Sequence, residues 1–144
     1  MRSGPRSPAQ IYALVLGVVL VAAGIAGFFW ETSFATGTSA GVEQGFLLGI
    51  LAVNGWGNVV HLVSGIIGLA VAGSYAGART FALGFGAVYA LVALLGFVAT
   101  ENDALIGLLA INLEENILHV LIAIAGIAAG LATPAEPRTA AAAA

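Results

Sequence analysis

The chain has no cysteine and no lysine, and only 8% of its 144 residues are charged. Without cysteine there is no disulfide, no thiolate metal site and no thiol nucleophile, and redox chemistry says nothing about compartment. Four arginines and no lysine cannot build the basic patch that a nucleic acid requires, so that class of partner is excluded. A charged fraction of 8% is far below the ~25% of an ordinary globular chain, so most of the surface must face something other than water. No Ser-His-Asp set, glycine-rich phosphate loop or metalloprotease motif is present, so no residue is assigned a catalytic role and an enzyme is the less favoured class.

What the sequence has instead is long apolar runs. Ile11 to Trp30, Gly45 to Ala78 and Thr80 to Ala99 carry no charged residue, and the mean hydropathy is +1.06. A bilayer core needs about 20 apolar residues per helix. The runs predict an all-α, polytopic four-helix membrane bundle over residues 9–132, with a cytoplasmic N-terminal tail over 1–8 and a disordered C-terminal tail over 133–144. Arg2 and Arg6 ahead of the first run resemble the start of a secretory signal. The run is longer than a signal core, however, and a matching segment recurs deep in the chain, so residues 9–29 read as a retained helix.

That recurrence is the dominant pattern. Residues 9–29 match 78–98 at Ala9, Ala13, Leu14, Gly17, Val19, Gly27 and Phe28. Residues 46–73 match 104–131, pairing Asn54 with Asn112, Asn58 with Asn116, His61 with His119 and Gly68 with Gly126. The pattern predicts a duplicated helical hairpin, repeat one over 9–73 and repeat two over 78–132, with helices two and four adjacent across a pseudo-twofold axis. Arg2, Arg6, Arg79 and Arg138 fall in the tails and the middle loop, whereas Glu31, Glu43, Glu101 and Asp103 fall in the other two loops. Basic residues stay inside, so both termini are expected in the cytoplasm. Phe28, Phe29, Trp30 and Trp56 then fall at the outer interface, and Tyr12, Tyr75 and Phe81 at the inner one.

Residues 45–73 are too long for one simple span. Either the helix is long and tilted, or residues 45–53 form a separate interfacial piece and Asn54 caps the spanning helix. The second copy favours the break, because Asn112-Leu113-Glu114-Glu115 reads as an N-cap with glutamate at the third helical position.

The concentrated polar chemistry is Asn54-x-x-x-Asn58-x-x-His61 and its copy Asn112-x-x-x-Asn116-x-x-His119. Spacings of four and three place each trio on one helix face. Small residues continue that face, which marks it as facing protein rather than lipid. In the first reading these side chains are interhelical hydrogen-bonding residues. In the second they line a buried site, with Glu114 and Glu115 at its outer mouth. A pocket for a proton, an ion or a small lipid-soluble molecule suits that second reading better than a bis-histidine haem. Haem in turn suits it better than a carboxylate-bridged dimetal centre, which needs glutamate where Asn58 and Asn116 stand. No metal is therefore assigned, and the first reading carries no cofactor.

The segments Pro8-Ala9-Gln10-Ile11-Tyr12-Ala13-Leu14, Ala52-Val53-Asn54, Asn58-Val59-Val60-His61-Leu62 and Asn116-Ile117-Leu118-His119 resemble a bacterial four-helix membrane family. It is common in actinobacteria and known only as a domain of unknown function, number four-three-eight-three. The resemblance covers residues 8–132. It implies a four-helix protein of the bacterial inner membrane and no activity, cofactor or established site. The expected function is that of a non-enzymatic structural or accessory membrane component, its partners the bilayer and a membrane protein or second copy. The alternative is ligand, ion, proton or haem binding through the paired Asn-x-x-His motifs.

Overall fold

The structure, a computed structural model, describes residues 5–37, 42–99 and 104–135. Arg2, Glu101, Asp103 and Arg138, which entered the orientation argument, lie outside the described residues, as does the tail beyond residue 135. Four helices carry the fold: α1 (Pro8–Gly27), α2 (Gly55–Val71), α3 (Tyr75–Ala99) and α4 (Leu113–Ala132). Three of them, α1, α3 and α4, are long and apolar enough to cross a membrane. The 17 residues of α2 reach only about 26 Å at 1.5 Å per residue, short of a core about 30 Å thick. Apolar side chains such as Val15, Leu94 and Ile124 are more than half exposed along these helices, as expected where lipid takes the place of water.

The expectation of an all-α chain needs correction. Ahead of α2 stands an antiparallel ribbon of β1 (Gly45–Leu47) and β2 (Leu51–Val53), and ahead of α4 a shorter one of β3 (Ala104–Leu105) and β4 (Leu109–Ala110). The long tilted helix is thus replaced by the broken form, and the separate piece is a strand pair. Its cause is local. Leu48 and Gly49 turn with φ of 55° and 76°, and Ile106 and Gly107 with φ of 51° and 69°. Two successive residues of positive φ within a three-residue connection reverse the chain in each ribbon, which no right-handed helix can pass through.

Ser7 caps α1 and accepts from the Gln10 amide nitrogen, while the Gln10 side chain returns a bond to the Ser7 backbone. With Pro8 at the first helical position, this is a complete capping box. Gln10 Nε2 also donates to the carbonyls of Ala72 and Gly73 (3.2 and 3.4 Å). One side chain thereby serves the start of α1 and the carbonyls at the end of α2, which have no partner within their own helix.

α1 packs extensively on α2 and α3 on α4, with α1 meeting α3 and α4 less extensively. The expected side-by-side packing of α2 and α4 is not found; their backbones make little contact, although their histidines meet. The core is rich in alanine: Ala9, Ala13, Ala72, Ala78 and Ala82 surround Leu16, Leu20 and Phe81. Small side chains let helix backbones approach, the main source of association energy in lipid. Phe81, expected at the inner interface, is part of this core. Thr133, expected to begin the tail, is fully buried. Its hydroxyl accepts from the Ala9 amide (3.0 Å) and donates to the Ala129 carbonyl, and its own carbonyl accepts from Arg79 Nε (2.9 Å).

Candidate functional site

The polar stripe divides into two groups with different work. Asn54 and Asn112 cap α2 and α4, their side-chain oxygens accepting from the amides of Gly57 (2.9 Å) and Glu115 (3.0 Å). Their amide nitrogens reach the opposite ribbon: Asn54 Nδ2 donates to the Leu108 carbonyl (2.8 Å) and Asn112 Nδ2 to the Ile50 carbonyl (2.6 Å). Asn58 Nδ2 donates to the Glu31 carbonyl (2.9 Å), just past the end of α1. The oxygens of Asn58 and Asn116 press on Gly27 and Gly96, where any β-carbon would collide with them. Neither oxygen has a conventional partner among the described residues. Contact with a glycine Cα–H is the weak hydrogen bond common where helices approach closely.

The histidines behave differently. Nδ1 of His61 and Nδ1 of His119 are each buried and without a hydrogen-bond partner among the described residues. Glu115 joins them: one ligand atom from each of His61, Glu115 and His119 lies within 4.8 Å of the other two. Glu115 and His119 are four residues apart on α4, hence on one face, and His61 reaches in from α2. Glu115 and His119 are only 5% and 8% exposed, in a region where an unpartnered charge is costly. Glu114, paired with Glu115 in the sequence argument, points outward and is exposed. The glutamate at the third helical position therefore contributes its backbone N–H to the cap while its carboxylate joins the histidines.

Tyr89 of α3 closes one side. Its ring meets His119 edge-on with centroids 5.0 Å apart, and Phe85 and Phe81 continue a row of aromatic contacts down α3 (4.9 and 4.6 Å). Two cavities flank the cluster, and His61, Glu115, His119 and Tyr89 line both. The larger, about 720 Å³, is an open groove between α1 and α4 whose other walls are apolar, among them Val15, Leu16, Leu20 and Leu118. The smaller, about 110 Å³, lies between α2 and α3. The matched positions explain the difference in size. Where the groove has Leu16 and Leu20, the corresponding residues of α3 are Phe85 and Tyr89, whose rings occupy the smaller side.

Sequence spacing located His61 and His119 but missed Tyr89 and the place of the Glu115 carboxylate. The available signal was Glu115-x-x-x-His119, which sets a carboxylate and an imidazole on one turn; the cap pattern masked it. Tyr89 had no signal, because one tyrosine in an apolar helix reads as packing.

Three helices apolar enough for a bilayer, a glycine- and alanine-lined core and a buried polar cluster define a small helical membrane protein. The chain belongs to the family described as Domain of unknown function (DUF4383), which it matches over residues 10–132. No curated protein and no solved structure matches it.

Proposed function

We propose that this is an intramembrane binding protein whose groove between α1 and α4 takes a lipid-soluble small molecule bearing a hydrogen-bonding head group. One observation carries the reading: His61, Glu115 and His119 converge on the wall of a groove of about 720 Å³ that is otherwise almost wholly apolar. Apolar walls with a few converging polar groups are the usual form of a small-molecule site. The purely structural reading accounts well for Asn54, Asn58 and Asn112, which spend their donors on backbone carbonyls. It does not account for two buried imidazole nitrogens without partners among the described residues, since a buried polar atom costs free energy unless it is paired. No catalytic step is assigned to the cluster.

The same proposal sets the chain in the bacterial inner membrane as four spans with both termini cytoplasmic, the ribbon completing the span of the short α2. Support comes from charge. Arg6 and Arg79 lie at the end of the bundle where Thr133 ties α1, α3 and α4 together, whereas Glu31 and Glu43 lie beyond the other end of α1. Basic residues favour the cytoplasmic side. The duplicated hairpin is supported by contacts that recur at matched positions: Asn58 on Gly27 and Asn116 on Gly96, and the reciprocal bonds of Asn54 and Asn112.

Native mass spectrometry of the full chain released from lipid nanodiscs tests the binding reading. The expected result is a retained small apolar adduct that disappears in the double variant Leu16→Phe, Leu20→Tyr, which gives the groove the side chains of its smaller counterpart. Adducts unchanged in that variant, or none in the parent protein, would remove the groove as a binding site.

A further inference from the structure

We infer that His61, Glu115 and His119 bind one divalent first-row transition-metal ion within the bundle. The inference shares these side chains with the groove reading but does not need a ligand in the groove. Two imidazoles and one carboxylate are the nitrogen and oxygen donors such ions prefer, and a two-histidine, one-carboxylate set leaves coordination positions open.

The geometry is close to what an ion requires. The three ligand atoms lie within 4.8 Å of one another, and ligands about 2.1 Å from a tetrahedral ion sit roughly 3.4 Å apart. Small side-chain rotations cover the difference. Glu115 and His119 hang from one turn of α4, so a single rigid element sets two of the three ligands.

Two further observations point the same way. Both histidine Nδ1 atoms are buried and lack hydrogen-bond partners among the described residues, so neither is already committed to a group of the described chain. The Glu115 carboxylate, 5% exposed at the residue level, also lies far from Arg79, which is held by Thr133 just past the C-terminal end of α4. The intervening helix, Leu113–Ala132, spans about 30 Å at 1.5 Å per residue. A divalent ion would supply the buried carboxylate with a positive charge that neither described arginine, Arg6 or Arg79, brings to it from the far end of the bundle.

The stoichiometry follows from the two halves of the chain. Gly57 stands where a matched carboxylate would be, at the position corresponding to Glu115. The two histidines are therefore shared around one carboxylate, which favours a single ion over a pair. The three ligands line both the larger groove and the smaller cavity, so the open coordination positions have room for a water or for the head group of a molecule in the groove.

The test uses full-length protein in detergent, stripped with chelator and titrated with Zn²⁺ and, separately, Co²⁺ against a chromogenic competitor. One equivalent of each is expected, with visible Co²⁺ absorption bands reporting nitrogen and oxygen coordination. Glu115→Gln, which keeps the shape, and His119→Ala should each weaken Zn²⁺ binding by more than about 100-fold, the upper end of what loss of an outer-shell partner costs. Glu114→Gln should leave it unchanged, and circular dichroism of each variant confirms that the helices remain. The double variant Leu16→Phe, Leu20→Tyr should keep its ion while losing any groove adduct, so the two readings fail separately. Failure of folded parent protein to bind either ion stoichiometrically would overturn the inference. So would a Glu115→Gln protein that binds like the parent, or a Soret band in the purified protein that either histidine substitution abolishes.

Discussion

Asn54 and Asn112 do the same two things at the heads of α2 and α4. Each side-chain oxygen caps its own helix, and each amide nitrogen donates to the tip of the ribbon that precedes the other helix, at Leu108 and at Ile50. The two ribbons and two helix starts are thereby fastened crosswise above the histidine–glutamate cluster.

This arrangement separates the cap from the crosslink. Asn54→Ser keeps a hydroxyl acceptor for the Gly57 amide and loses the donor to Leu108 without placing a charge at a position that is 1% exposed; Asn54→Ala loses both. The expected loss of stability is about 1 kcal/mol for the serine, the value of one side-chain hydrogen bond in a membrane. For alanine it is about 2 kcal/mol, since a cap is worth roughly a further 1 kcal/mol. Reversible unfolding in mixed micelles measures the difference: no loss in the first variant would show that the crosslink contributes nothing, and equal losses in the two that the cap contributes nothing.

Gly27 and Gly96 lie against the amide oxygens of Asn58 and Asn116, with no room for a methyl group. Gly27→Ala or Gly96→Ala should therefore cost about 1–3 kcal/mol, the usual penalty for overpacking. Gly84, on the exposed side of α3 with nothing within 4 Å of an added β-carbon, is the control. Gly84→Ala should be neutral or stabilise by about 0.5–1 kcal/mol. The same unfolding assay ranks the three variants.

Ile106 holds a φ of 51° at a ribbon tip and is 74% exposed, a conformation that costs a β-branched residue about 1–2 kcal/mol. Because so little of the side chain is buried, Ile106→Asn should raise stability by roughly 1 kcal/mol, asparagine being at home in such turns. Gly49, at φ 76° with open space around it, should behave oppositely: Gly49→Ala should lose about 1 kcal/mol on conformation alone. A destabilised Ile106→Asn protein would mean that the exposed side chain makes contacts outside the chain, such as with lipid.

The absence of native cysteine makes topology directly measurable. Thr36→Cys and Gly73→Cys both place a thiol on exposed residues at opposite ends of the bundle. An impermeant maleimide applied to intact cells should label the first and not the second. The reverse pattern would invert the proposed orientation. Labelling of Gly73→Cys is preferable to labelling at Ala78, which is fully buried in α3.

How much was legible beforehand differs from element to element. Asn54 and Asn112 were recognisable as caps because a side chain bonding three residues along is a local event. The ribbons were not, because their three-residue connections, Leu48-Gly49-Ile50 and Ile106-Gly107-Leu108, are apolar but for one glycine and carry no Asn, Asp or Pro to mark a turn. Apolar residues in an apolar run read as helix. Glu115 was recognisable as acidic and near a helix start, but its backbone and its carboxylate serve different purposes, and spacing reports only the first.

The sequence by itself determined the membrane class, the number of helices, the capping asparagines and the family, since composition and short-range spacing decide those. Only the tertiary structure decided which polar groups meet. His61 and Glu115 belong to different helices whose backbones make little contact, and their approach depends on how α1 packs on α2 and α3 on α4. The unequal cavities are likewise a tertiary outcome. Matched positions hold leucines on α1 and aromatic rings on α3, and their volumes matter only once each helix faces its neighbour across the same buried cluster.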